Sequence, residues 1–159
     1  ESGEPRKNFE PVDLRQIAAD AIEIYEPAAE EAGLSLVMEE SPSVRLSGNP
    51  NLLGQAVTNL LDNAMKYVPA GGTVRCRVEA DGGRARLVVA DDGPGVPTDF
   101  FEKAFDRFSR LEESRTSPGS GLGLSLVRAI AHLHDGGVHL RSAEPGLVVV
   151  VDLPVREEA

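Results

Sequence analysis

The sequence holds no tryptophan, and aromatic residues make up only 4% of its 159 positions. Platforms that stack nucleic-acid bases need such rings, so that class is excluded first. Cys76 is the single cysteine, which rules out an internal disulfide and suits a reducing compartment. No apolar run approaches the roughly 20 residues of a membrane-spanning helix, and no signal-peptide pattern opens the chain. Net positive charge is absent too: at −10, the chain is ill suited to nonspecific contact with nucleic acid or an anionic membrane. The chain starts at Glu1 rather than Met, which reads as a piece of a longer protein. What remains is ordinary globular composition, 41% hydrophobic and 26% charged, long enough for one domain with a real core.

Residues 1–8 are polar and read as a linker, 9–155 as the domain, and 156–159 as a tail. "VDLRQIAADAIEIYEPAAEEAG" predicts a helix capped by Asp13, with Leu14, Ile17, Ala18, Ala21 and Ile22 on one face and Gly33 at its end. Pro27 is expected to bend or split it. "LSLVME" predicts a short strand. "GNPNLLGQAVTNLLDNAMKYV" predicts a second helix with Pro50 in its first turn and a wide apolar face from Leu52 to Ala64. "TVRCRVEA" alternates, placing Val74, Cys76 and Val78 on one side and Arg75, Arg77 and Glu79 on the other, so Cys76 reads as a buried small side chain. A turn at 81–83 and "RARLVVAD" complete a hairpin. "GLSLVRAIAHLH" predicts a third helix, and "GVHLRS" and "GLVVVVDLP" closing strands. The class is α+β: a two-layer α/β sandwich, its mixed, mostly antiparallel sheet packed against three helices.

Three polar clusters resist a purely structural account. Asn59, Asn63 and Lys66 fall on one stripe of the second helix. Asparagine oxygens beside an ammonium suit hydrated magnesium with phosphate, though a solvent-facing stripe with an Asp62–Lys66 ion pair would use the same residues. "DDGPGV", from Asp91 to Val96, ends an apolar strand; its glycines let a flat ligand approach the backbone, or simply make a turn. "SPGSGLGLSLV" puts Gly119, Gly121 and Gly123 where a helix begins, exposing N–H groups that favour an anion. It is neither a dinucleotide fingerprint nor a Walker loop. Lys103, Arg107, Arg110 and Arg115 gather just before it, as an anion contact or as a solvated charged face.

Taken in order, "NLLDNAMKY", "DDGPGV", "FDRF" and "GSGLGLS" resemble the N box, first glycine box, F box and second glycine box of the ATP-binding catalytic domain of bacterial sensor histidine kinases. That superfamily also holds the ATPase subunits of type II topoisomerases, MutL and the large heat-shock chaperones. The resemblance covers nearly the whole chain, from "FEPVDLRQIAADAI", similar to the lead-in from the dimerisation helices, to the closing "DLP". It implies that Asn63, with Asn59 nearby, holds Mg2+. Lys66 would face the phosphates, with Tyr67 lining the pocket. Asp91 would accept from the adenine amino group, and Gly93, Gly95 and Val96 would shape the wall beside it. Phe105 and Phe108 would anchor a mobile ATP lid, Arg107 would reach phosphate, and Gly119, Ser120, Gly121, Leu122, Gly123 and Leu124 would hold phosphate oxygens at the helix start. The sequence departs from the family pattern at Pro118 and Asp135, where glycines are common, and at Leu147 and Val148, where a threonine often supports adenine.

The superfamily's ATP-hydrolysing members resemble E-x-x-x-N in the N box. The matching residue here is Asn59, and an amide is no general base near neutral pH. Phosphoryl transfer to a separate acceptor is the reading that follows. His132, His134 and His139 lack the family acceptor context and read as core or surface residues. The expected activity is thus that of a protein-histidine kinase in two-component signalling. The chain would bind ATP and Mg2+, and the acceptor histidine would sit in an upstream dimerisation domain of the same polypeptide. A response regulator receiver domain would be the next partner. The alternatives are a nucleotide-binding regulatory module without kinase activity and an anti-sigma-factor-like serine kinase. The piece is expected to be monomeric and cytoplasmic, and its parent a homodimer, with an inner-membrane anchor left open.

Overall fold

The computed structural model describes residues 8–95 and 123–155. Its elements are β1 (Glu10–Asp13), α1 (Leu14–Glu31), β2 (Ser35–Met38), β3 (Arg45–Gly48), α2 (Pro50–Tyr67), β4 (Thr73–Asp81), β5 (Arg84–Asp91), α3 (Gly123–Leu133), β6 (Gly137–Ser142) and β7 (Leu147–Pro154). The main sheet has the order β2-β4-β5-β7-β6. Only β2 and β4 run parallel; the other pairs are antiparallel. The α+β sandwich expected from the sequence is the fold observed.

Alternation along the strands sets the two faces of this sheet. Val74, Cys76 and Val78 of β4, Ala85, Leu87 and Val89 of β5, and Val149, Val151 and Leu153 of β7 turn toward the helices. There they meet Leu14, Ala18, Ala21 and Ile22 of α1, the Leu53–Ala64 face of α2, and Leu124, Val127, Ile130 and Ala131 of α3. Cys76 is fully buried, and desolvation pushes its thiol up to about 12, so it is a packing group rather than a nucleophile. On the far face Val88 pairs with Val150, and both are buried beneath Arg86, Arg141, His139, Glu79 and Asp152.

Two features differ from the sequence expectation. α1 runs unbroken through Pro27. Pro27 is exposed, so its ring stands in water rather than against a neighbouring element. Second, β1 and β3 form a separate two-stranded antiparallel sheet that the sequence pattern did not announce. It brings the residues before α1 against the residues before α2. Both helix starts are capped: Asp13 Oδ1 accepts from Arg15 N–H at 3.0 Å, and Asn49 Oδ1 from Leu52 N–H at 3.1 Å.

Candidate functional site

The end of α2, the end of β5 and the β6–β7 turn converge at one end of the sheet. α2 arrives there because Leu53, Ala56, Val57, Leu60, Leu61 and Ala64 bury its apolar face. That packing leaves Asn59, Asn63 and Lys66 on a polar stripe, with both asparagines half-buried. Lys66 Nζ lies 3.7 Å from Asp62 Oδ2, one turn back. The i,i+4 pair foreseen as the bland reading therefore exists. It is an open, partly exposed contact of the kind that contributes little to stability.

Beyond Tyr67 the chain turns at Val68–Pro69. Gly93 packs so closely there that a Cβ on it would lie 3.2 Å from the Tyr67 carbonyl oxygen and 3.2 Å from Val68 Cγ2. Lys66, Tyr67, Val68, Pro69, Asp92, Gly93 and Pro94 line a cavity of about 590 Å³. The glycines of "DDGPGV" thus serve a close approach of two backbones. Gly146, at φ +107°, packs against the Asp91 main chain so closely that a Cβ there would clash with the Asp91 carbonyl oxygen.

The structure separates the two adjacent carboxylates. Asp92 Oδ1 accepts from Thr73 N–H at 2.8 Å, which ties the loop to the start of β4. Asp91 turns the other way. Its Oδ1 accepts from Gly93 N–H at 3.0 Å and from Leu147 N–H at 3.3 Å. Burial raises its pKa above the usual carboxylate range; the Gly93 and Leu147 donors pull it back, and the charge on Asp92 adds to the rise. With Oδ1 holding two backbone donors, Oδ2 remains as an acceptor among the described residues.

Leu147 is a contributor that sequence reasoning missed. Its role here is a main-chain N–H, which no residue type announces; the position was singled out only for lacking a threonine. Gly95 sits against Gly146, and Gly123 opens α3 with Leu124 buried behind it. Val96, Phe105, Arg107, Phe108, Gly119, Ser120, Gly121 and Leu122, and with them the expected lid, lie outside the described residues.

As a magnesium site the stripe fits in part. Asn59 and Asn63 offer neutral oxygen donors one turn apart, which suits a hard cation that keeps most of its water. Among the described residues no group of three or more His, Cys, Asp or Glu could hold a metal by itself. A cation here would need further oxygens from water and from phosphate. No described helix is long and apolar enough to cross a membrane.

Residues 48–157 match the family described as histidine kinase-, DNA gyrase B-, and HSP90-like ATPase. The sensor-like histidine kinase SenX3 of Mycolicibacterium smegmatis is 32% identical over 152 residues, covering 94% of this chain and 39% of SenX3. Among solved structures, a mycobacterial sensor histidine kinase MprB superposes with a TM-score of 0.82 at 34% identity, over 94% of this chain and 100% of that one. Full-length ShkA in complex with AMPPNP gives 0.82 at 30% identity, over 95% of this chain and 32% of ShkA. This chain spans about two fifths or less of the length of the curated relatives it matches.

Proposed function

The chain belongs to the family of histidine kinase-, DNA gyrase B- and HSP90-like ATPases, and we propose that it is the part of a sensor kinase that binds Mg-ATP and presents the γ-phosphoryl group. In the longer protein the phosphoryl goes to a histidine on an upstream dimerisation domain, and from there to an aspartate of a response regulator receiver domain. The parent acts as a homodimer.

The observation that carries this reading is the Asp91 carboxylate, fixed through one oxygen to the N–H of Gly93, which lines the cavity. Its Oδ2 would accept a hydrogen bond from the exocyclic amino group of adenine. Tyr67, Gly93 and Gly95 would give the ring a close wall, and Lys66 and the start of α3 at Gly123 would face the phosphates. Asn63, with Asn59 one turn before it, would hold the magnesium ion. Bound there, the ion would neutralise phosphate charge as the transfer proceeds. Arg107 and the glycines from 119 to 121 would complete the anion contacts.

The chain's own groups favour transfer over hydrolysis. Asn59 cannot take a proton from water near neutral pH. His134 is no acceptor either, because it is buried with both ring nitrogens engaged: Nε2 accepts from Asn49 N–H, and Nδ1–H donates to the Ile130 carbonyl oxygen. On this reading the phosphoryl acceptor lies in another part of the protein.

Calorimetric titration of this chain with ATP, with and without magnesium, tests the binding step. The expected outcome is a micromolar to sub-millimolar Kd that loses its magnesium dependence in Asn63→Ala. Absence of binding by folded wild type would sink the reading. Transfer from ATP to a separately expressed dimerisation domain tests the second step.

A further inference from the structure

His134 lies at the opposite ends of α2 and α3 from the cavity. Its ring stacks on Phe9, with centroids 4.6 Å apart and planes 17° from parallel. Its Nε2 accepts from the N–H of Asn49, the residue that caps α2, at 3.1 Å, and its Nδ1–H reaches the Ile130 carbonyl oxygen in the last turn of α3 at 2.8 Å. A Cβ on Gly48 would lie 3.2 Å from both Cδ2 and Nε2 of the ring, so the end of β3 closes the same socket. One imidazole therefore touches the segment that leads into the domain, the end of β3, the start of α2 and the end of α3. Both hydrogen bonds are buried; the Ile130 carbonyl also accepts the His134 main-chain N–H at 3.2 Å, whereas the Asn49 N–H depends on Nε2, so losing that bond leaves a buried donor to be satisfied.

We infer that His134 is a positioning residue that couples docking of the lead-in segment, Phe9 with β1, to occupancy of the nucleotide site. This inference rests on the nucleotide-binding reading above. α2 is a rod of about 27 Å by its residue count. Its first turn is held by His134, and its last two turns carry Asn63, Lys66 and Tyr67. α3 begins at Gly123 on the nucleotide side and ends at His134. A ligand that fixes the near ends of both rods restricts their far ends, where the imidazole bridges them. Phe9 stacks on that bridge and leads into β1, which pairs with β3 through Glu10↔Gly48 to Asp13↔Arg45. Nucleotide bound at one end thus favours the docked lead-in at the other, and by linkage a docked lead-in raises nucleotide affinity by the same factor. The lead-in is where an upstream domain would join the chain, so this is the point at which such a domain would sense the loaded state.

The test is hydrogen exchange of the whole chain, without and with saturating AMPPNP and magnesium, beside calorimetry of the same samples. The amides to follow are those of β1 and of Leu14, whose N–H donates to Val44. In wild type, nucleotide should slow their exchange about fivefold or more, the lower end of common coupling factors. Phe9→Ala should abolish that slowing and weaken nucleotide binding by up to the same factor. His134→Phe, which keeps a ring but removes both hydrogen bonds, should do the same if it folds; Phe9→Ala decides the matter if it does not. Ile24→Ala, at an exposed site on α1, should behave as wild type. Binding with unchanged exchange in β1, or unchanged coupling in Phe9→Ala, overturns the inference alone. No binding by wild type overturns the nucleotide reading and this inference with it.

Discussion

At the residue scale the two neighbouring aspartates make opposite predictions. The folded protein raises the pKa of Asp91, so the native state holds that proton more tightly than the unfolded chain does. Its contribution to stability is therefore full below the ordinary carboxylate pKa and lost as pH rises through the raised value. Asp91→Asn removes the burden of a half-buried charge while its Oδ1 keeps the Gly93 and Leu147 donors. The variant should melt above wild type at pH 7, and the two curves should converge as pH falls toward 4. Its amide nitrogen would then face the adenine amino group, donor against donor, and ATP affinity should fall about 10- to 100-fold. Asp92→Ala should do the reverse. It loses the hydrogen bond from Thr73 N–H, which should lower stability by about 1–2 kcal/mol in a denaturant titration, while preference for ATP over GTP stays unchanged. Equal loss of nucleotide preference in both variants would contradict this division of labour.

At the scale of elements, Pro27 gives the clearest prediction. It sits exposed within α1 and leaves the Glu23 carbonyl without its helical donor. Pro27→Ala should stabilise the protein by about 1–2 kcal/mol, less than the full helix penalty because proline also restricts the unfolded chain. In a chain of this length that is a rise of several degrees in Tm; a fall would mean that the ring packs against something essential. The helices and the strands of the main sheet were legible in the sequence because their apolar periods are regular and their caps and glycines sit at the ends. Strands β1 and β3 were not. "EPVD" and "RLSG" are four residues each, too short for a burial pattern to announce a strand, and each is held as one by the other beside it. Asp135 looked like a departure from the family's usual glycine, and its φ of +64° supplies the reason glycine is usual there. Gly136 N–H bonds to Ala131 and Asp135 N–H to His132, so Asp135 occupies the left-handed position of a Schellman cap, which aspartate tolerates better than most residues. At the site, Asp91 and the polar stripe of α2 could be read from residue type and spacing. The Leu147 donor could not, because a backbone N–H leaves no mark in the sequence.

For the whole molecule, charge is the variable to test. The chain carries a net −10, yet among the described residues the ion pairs are mostly on the open sheet face and partly exposed, among them Arg75–Glu39 at 3.8 Å, Arg77–Glu79 at 2.8 Å and Arg84–Asp152 at 3.0 Å. Exposed pairs contribute little, whereas like-charge repulsion acts across the whole surface. Raising NaCl from about 0.05 M to about 0.5 M should therefore raise Tm, because screening relieves more repulsion than attraction. A fall would show that the pairs above Val88 and Val150 matter more than the net charge. The pocket has a further property that follows from its parts. Asp91 lies on β5, but one of the two donors that orient its carboxylate comes from Leu147, at the start of β7, and Gly146 packs against its main chain. A ribosome-bound chain that has emerged only through α3 holds every side chain named for the adenine end, yet it lacks the backbone that shapes them. Ligand binding would begin only after the β6–β7 hairpin has formed, so nucleotide would stabilise by mass action only those chains in which that hairpin is in place.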